Sequence, residues 1–488
     1  MLNILLITLD QFRADCLSCA GHPVVKTPHL DALAADGVRL ARHYSQSSPC
    51  SPGRASLYTG MYQLNHRVVA NGTPLDRRFD NIAMAARRAG YVPALFGYTD
   101  QSVDPRETTG PSDPRLQTYE GYLPGFEGGL FFRPTEAGDW INWVRGHGHA
   151  ISDNWEGALE SEPSRPAELS MTAWLNNHFV DWLDRQDKPW FAHLSHLRPH
   201  SPYAAAGEFS KMYDPDAVPA PIAPADERHA LHNGLLRHPL TAAPTTESAM
   251  RHLQAQYYGM VSEADAQLGR VVEALKASGQ WDKTLIIVTS DHGEMLGDHG
   301  LIQKAAWFEQ SYHILGIVRD PRKGGARGAV VDAFTENVDM FPTLCEAMDI
   351  PVPAQCDGLP LTPFLRGEKP SWWREAAHWE YDWRSSFIPH GPHPWPWDRR
   401  LERQCLSVHR TRDAGYVHFG DGTWLCFDLA ADPTWCTPVR DPAVILGLAQ
   451  DLLTWRAQNQ DRTMTGMLVE NGGIGRWPDM PAGWGASS

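Results

Sequence analysis

The residues best equipped for chemistry lie in the run Cys50-Ser51-Pro52-Gly53-Arg54, followed at once by Ala55-Ser56-Leu57-Tyr58-Thr59-Gly60. A cysteine with proline two residues on and arginine four residues on is the signal at which a dedicated oxidase converts the thiol to an aldehyde. An aldehyde hydrate carries two hydroxyls on one carbon. It can attack a sulfuryl or phosphoryl centre and then expel the product by re-forming the carbonyl, a second step open to no encoded side chain. The competing reading of a lone cysteine is a small buried hydrophobe. The phosphate loop of a tyrosine phosphatase does not apply, because it needs a longer spacing between cysteine and arginine. The motif is therefore judged by its company.

A second signal is Thr289-Ser290-Asp291-His292-Gly293-Glu294, directly after the apolar run 285–289. Asp10 ends the apolar run 3–9 in the same way. Such runs suit parallel strands buried on both faces, whose carboxyl ends gather ligands at one sheet edge. There Asp10, Asp291 and His292 would offer oxygen and imidazole to a divalent cation. Alone, an Asp-His pair at a strand end caps a turn; beside Asp10 and the cysteine motif, the metal reading leads. Arg54 falls one helical turn beyond Cys50, where a guanidinium could orient the hydrate. His200, in the turn Arg198-Pro199-His200-Ser201-Pro202, is either a structural histidine or an acid–base group.

The elements that must position these groups alternate. Helical patterns at 28–37, 81–90 and 248–278 interleave with strand runs at 3–9, 92–96, 191–196 and 285–289, which points to α/β architecture on a mostly parallel sheet flanked by helices. Stretches 101–168 and 201–246 hold few periodic runs and read as long functional excursions. From about residue 351 the composition changes. Trp, Pro and His cluster at 371–398, and strand runs follow at 404–409, 416–419 and 424–428, with a helix near 442–458. The expected division is a catalytic α/β domain over 1–350 and a smaller C-terminal α+β subdomain on an antiparallel sheet over 351–488. The last thirty residues read as an irregular arm able to reach another subunit.

Composition narrows the function classes. The 488 residues carry a formal net charge of −15 and a mean hydropathy of −0.39, which argues against general nucleic-acid binding. No run of 18 apolar residues suits a membrane span. Residues 4–9 lack a basic flank and end in Asp10-Gln11, so they do not read as a signal peptide, and the fold is expected to begin at Met1. The eight cysteines are irregularly spaced, which fits reduced thiols and a cytoplasmic location. Cys16 and Cys19 form a C-x-x-C pair with no second ligand pair nearby.

With these motifs on view, the chain resembles the sulfatase branch of the alkaline phosphatase superfamily almost end to end. The likeness runs through LITLDQFRADCL, the cysteine motif, RPHSPY around His200, TSDHGEMLGDHGLIQK ending at Lys304, ENVDMFPTLCEAM and CDGLPLTPFLRG. Typical sulfatases carry two aspartates at the first strand end and a Gly-Lys-Trp-His run. Here Asp10-Gln11 and Phe96-Gly97-Tyr98-Thr99-Asp100 stand in those places, as in the phosphonate monoester hydrolases and their arylsulfatase relatives. Asn71 in NGTPLD and Tyr98 also match that group, whereas Asp100 departs from its usual threonine.

The resemblance implies a formylglycine at position 50, made by a formylglycine-generating enzyme, acting as nucleophile and metal ligand. Asp10, Asp291 and His292, with Gln11 as a weaker candidate, would hold one divalent ion. A cage with glutamine and histidine suits Mn, Zn or Fe better than an all-oxygen calcium site, with Ca still open. Asn71 and Tyr98 would bind the transferred group, and His200 and Lys304 would bind it or protonate the leaving oxygen. The expected reaction is two-step hydrolysis of singly charged phosphonate monoesters, phosphodiesters and sulfate monoesters. The alternatives are a dedicated arylsulfatase with incidental phosphonate activity and a binding protein with unmodified Cys50. A cofactor-independent mutase would need serine or threonine at position 50. Dimers or tetramers are implied for the oligomer.

Overall fold

The computed structural model describes residues 1–384, 402–460, 467–471 and 473–476, with 467–470 and 473–476 as backbone only. Strands are numbered in chain order. The main sheet comprises β1 (Asn3–Leu9), β2 (Val38–Tyr44), β4 (Ala94–Gly97), β5 (Gly128–Phe131), β6 (Phe191–His196), β7 (Thr284–Thr289), β8 (Gly316–Arg319) and β9 (Ala329–Glu336). A smaller sheet comprises β3 (Ser47–Ser48), β10 (Ala376–Asp382), β11 (Cys405–Thr411), β12 (Ala414–Phe419) and β13 (Trp424–Asp428).

The main sheet runs β5-β4-β6-β1-β7-β8-β2-β9. β4, β5, β6, β1 and β7 are mutually parallel, but β8 is antiparallel to both β7 and β2. Because β2 and β9 are parallel to each other, seven of the eight strands share one direction and only β8 opposes them, so the sheet is mixed but mostly parallel, as expected. β1 lies between β6 and β7 in registers Leu9↔His196 and Thr8↔Thr289. Every residue of β1, β6 and β7 is buried, as expected for strands covered on both faces.

Two cores sandwich this sheet. Alternate β1 residues Leu5, Ile7 and Leu9 face one core with Phe179, Tyr257 and Leu268, while Ile4 and Leu6 face another with Leu57, Tyr58 and Phe341. The period-2 split is what a doubly covered strand requires. The smaller sheet runs β13-β12-β11-β10-β3. It is antiparallel except that β3, just before Cys50, lies parallel to β10.

The expected helices are present at Pro28–Ala35, Ile82–Arg88, Glu247–Ala277 and Pro442–Gln458. The long excursions hold more order than their composition suggests. Gly138–Gly146 is a helix burying Trp140, Ile141 and Val144, a one-face pattern obscured by flanking glycine and proline. Within the terminal arm, Met467–Glu470 and Gly473–Arg476 pair as an antiparallel hairpin, so this part is not irregular. Residues 461–466, 472 and 477–488 of the arm, and the part of the Trp-Pro-His cluster at 385–398, lie outside the described residues. All eight cysteines are unpaired. Among the described residues no helix is long and apolar enough to cross a membrane.

Candidate active site and metal centre

Four parallel strands deliver their carboxyl ends to one edge. β4 leads into Tyr98 and Asp100, β6 into His200, β1 into Asp10 and Gln11, and β7 into Asp291 and His292. Gln11 and Asp100 have φ values of 69° and 51°. Left-handed backbone at a non-glycine residue carries a cost, and here two such residues flank one site.

Cys50 reaches the same edge from the helix Cys50–Thr59, all ten of whose residues are buried. The helix comes close because position 53 is glycine: a Cβ there would meet the Asp291 carbonyl oxygen at 2.4 Å. Its first turn is tied down by Asn71, whose Oδ1 accepts from the Ser51 N–H at 3.0 Å. Arg54, four residues along and on the same helical face, is fully buried. Its Nε donates to Asp291 Oδ2 at 2.9 Å, its Nη2 to Asp10 Oδ2 at 3.0 Å and its Nη1 to Ser195 Oγ at 2.8 Å. The guanidinium also lies over the Tyr98 ring, 4.3 Å from its centroid.

Asp10, Cys50, Asp291 and His292 each offer one ligand atom, and these four atoms lie within 4.8 Å of one another. His292 Nε2 is 3.2 Å from Cys50 Sγ and 3.6 Å from both Asp10 Oδ1 and Asp291 Oδ2. Its Nδ1 lies 3.1 Å from the Gly293 carbonyl oxygen. A carbonyl only accepts, so Nδ1 carries the hydrogen and Nε2 presents its lone pair.

Electrostatics favour the same assignment. Burial, then Lys304, lowers His292 to about 3, which keeps the ring neutral as a ligand must be. Burial opposes ionisation of Asp10, but His200, Arg54, His292 and Lys304 together hold its carboxyl well below the usual range. Burial and then Asp10 push the Asp291 carboxyl up. Burial and then Asp10 also push the Cys50 thiol far up, so the unmodified side chain is a protonated, poor nucleophile. Asp10 Oδ1 is buried with no hydrogen-bond partner. An unsatisfied carboxylate oxygen beside a second carboxylate, an imidazole nitrogen and position 50 fits a divalent ion.

The remaining expected residues divide. Lys304 Nζ donates to Gln11 Oε1 at 2.7 Å and lies 2.6 Å from His200 Nε2. His200 Nδ1 donates to the Ser201 carbonyl at 2.7 Å, so Nε2 accepts from Lys304. Burial and then Lys304 lower His200 to about 4. Gln11 thus turns its amide oxygen to Lys304, and its Nε2 donates to Glu294. Tyr98 donates its hydroxyl to Asp10 Oδ2 at 2.6 Å. Asp100 sits 4.0 Å from Arg54 Nε with Oδ1 unpartnered, and burial raises it to about 8. Sequence reasoning passed over Ser195 and Glu294. Their signals were polar residues inside the buried strand FAHLSH and the last position of the SDHGE run.

Comparison with known proteins gives the family. Residues 2–350 match the Sulfatase family, and residues 297–452 match the N-sulphoglucosamine sulphohydrolase C-terminal family. The chain is 36% identical to the multifunctional alkaline phosphatase superfamily protein PehA of Trinickia caryophylli, over 95% of this chain and 96% of that one. It is 31% identical to an arylsulfatase of Clostridium perfringens, over 78% of this chain and 81% of that one. The fold superposes on the crystal structure of the phosphonate monoester hydrolase of Agrobacterium radiobacter with a TM-score of 0.89. The identity is 41%, over 98% of this chain and 100% of that one. The chain belongs to the sulfatase family of the alkaline phosphatase superfamily and is an ester hydrolase.

Proposed function

We propose that this protein hydrolyses singly charged esters (phosphonate monoesters, phosphodiesters and sulfate monoesters) in two steps at position 50. The observation that carries this reading is the buried set Asp10, Cys50, Asp291 and His292, whose donor atoms converge within 4.8 Å. Position 50, once matured, would supply a geminal diol as nucleophile; Asp10, Asp291 and His292 would hold a divalent ion, whose charge would favour the ionised form of that diol at neutral pH. Arg54 holds the two carboxylates in register.

The preference for single charge follows from the cations available. Arg54 is committed to Asp10 and Asp291, and His200 and His292 are neutral. Among the described groups of this cluster that leaves Lys304 as the protein cation for the substrate. Held by Gln11 and His200, its Nζ binds the transferred group and offers a proton to the leaving oxygen. Asn71 donates a hydrogen bond from Nδ2 to the transferred group, while Tyr98, whose hydroxyl hydrogen goes to Asp10 Oδ2, orients that carboxylate. Residues 1–350 form the catalytic unit in this reading, and 351–488 a smaller subdomain. A formylglycine-generating enzyme matures the chain, which works in the cytoplasm as a dimer or tetramer.

Two measurements test this. Mass spectrometry of the peptide spanning Cys50 should find the aldehyde in protein made with the maturation enzyme; a persistent thiol in active protein sinks the mechanism. Specificity constants on matched aryl phosphonate, diester, sulfate and phosphate monoesters should rank the dianionic phosphate last. A sulfate that far exceeds the phosphonate and diester would make this a dedicated arylsulfatase.

A further inference from the structure

The loop 198–204 carries His200 away from the tip of β6, and it is held from within by one buried side chain. Arg198 and Glu162 are each 1% exposed and form an ion pair through Nη2. Arg198 Nη1 also donates to the His200 carbonyl at 3.0 Å and to the Pro202 carbonyl at 2.8 Å, and Nη2 donates to the Ala204 carbonyl at 3.0 Å. Glu162 is anchored in turn, its Oε1 accepting from the Met171 N–H at 2.9 Å at the start of the helix Met171–Leu183.

The three carbonyls belong to alternate residues, and the first is that of His200 itself. Between them lies the Ser201 carbonyl that takes the His200 Nδ1 hydrogen at 2.7 Å. The ring's tautomer and direction therefore depend on a stretch of backbone clamped on both sides. His200 Nε2 in turn meets Lys304 Nζ at 2.6 Å. A guanidinium fork can serve three carbonyls and a carboxylate at once; an ammonium cannot hold that geometry.

We infer that Arg198, braced by Glu162, is a positioning residue for the reaction: it fixes the His200 loop so that His200 aims the Lys304 proton at the leaving oxygen. This rests on the proposed role of the His200–Lys304 pair. A misaimed donor should cost most where the leaving group most needs a proton, whereas a mere folding role should lower all substrates alike.

The test compares wild type, Arg198→Lys and His200→Ala on aryl ester substrates of graded leaving-group acidity, with melting temperatures recorded alongside. Arg198→Lys should lose about 10-fold more kcat on the least acidic leaving group than on the most acidic, with KM little changed. His200→Ala should show the same steepening, and the double variant should steepen no further. A uniform loss in Arg198→Lys, or additive steepening in the double variant, overturns the inference. If His200→Ala itself shows no steepening, the role assigned to the pair in the proposed function fails instead. Should Arg198→Lys not fold, Glu162→Gln is the readout: steepening of the same sign supports the clamp, and a flat profile overturns it.

Discussion

Two buried charged clusters in this molecule invite comparison. Around Arg374, the guanidinium forks onto both oxygens of Asp339 and reaches Glu336 Oε2 at 3.2 Å. Glu336 also accepts from the Tyr62 hydroxyl and the His378 N–H, and Asp339 from the Glu336 and Leu359 N–H groups. Every carboxylate oxygen there has a donor. Around Arg54, the guanidinium likewise joins two buried carboxylates, yet Asp10 Oδ1 has no donor and Asp100 Oδ1 has none. The first cluster is closed and knits the smaller sheet to the end of β9. The second is short of positive charge and donors at the point where four strand tips meet. A saturated cluster serves structure, whereas an unsatisfied one of the same composition is shaped for something still to bind.

The contrast can be broken most decisively at position 50. Cys50→Ala should lower kcat by about 10⁴-fold or more while leaving the melting temperature close to wild type; retained turnover would make the open cluster a structural one. Next in size, Asp291→Asn should cut metal content, read by elemental analysis, and lower activity beyond the roughly 10–100-fold typical of outer partners. Undiminished metal content would mean that the ion, if bound, sits elsewhere. Arg374→Met should do the reverse. It strands two buried carboxylates, so denaturant unfolding should reveal a loss of about 3–5 kcal/mol, with kcat of the folded enzyme unchanged.

The smallest effect per residue concerns buried histidines of the scaffold. His43, His66 and His196 are each lowered to about 3 by burial. A base with a depressed folded value contributes stability above its unfolded value near 6.5, and that stability is lost as pH falls toward 3. Each should remove about 1.4 kcal/mol per pH unit within that window. Denaturation midpoints from pH 7 to 5 should therefore fall steeply, and His196→Gln should flatten the slope.

Much of the candidate site was legible in the chain because its logic is local. An apolar run ending in Asp10 or Asp291 announces a buried strand with a charged tip, and four residues of helix carry Cys50 to Arg54. The scaffold was read less fully. β2 and β9 mix buried residues with half-exposed and, in β9, exposed ones without a long apolar run, and β8 is only four residues long. The antiparallel entry of β8 depends on chain crossing, not composition.

The order of residues alone determined the motif of the proposed nucleophile, the metal-capable strand ends and the alternation that yields an α/β sheet, since each depends on neighbours within a few positions. Only the tertiary structure decided that Gln11 turns toward Lys304 and Glu294, that Tyr98 donates to Asp10, and that Arg198 reaches back to Glu162. These partners lie from 36 to 293 residues apart. Their meeting depends on which strands lie side by side, and local pattern does not encode strand order.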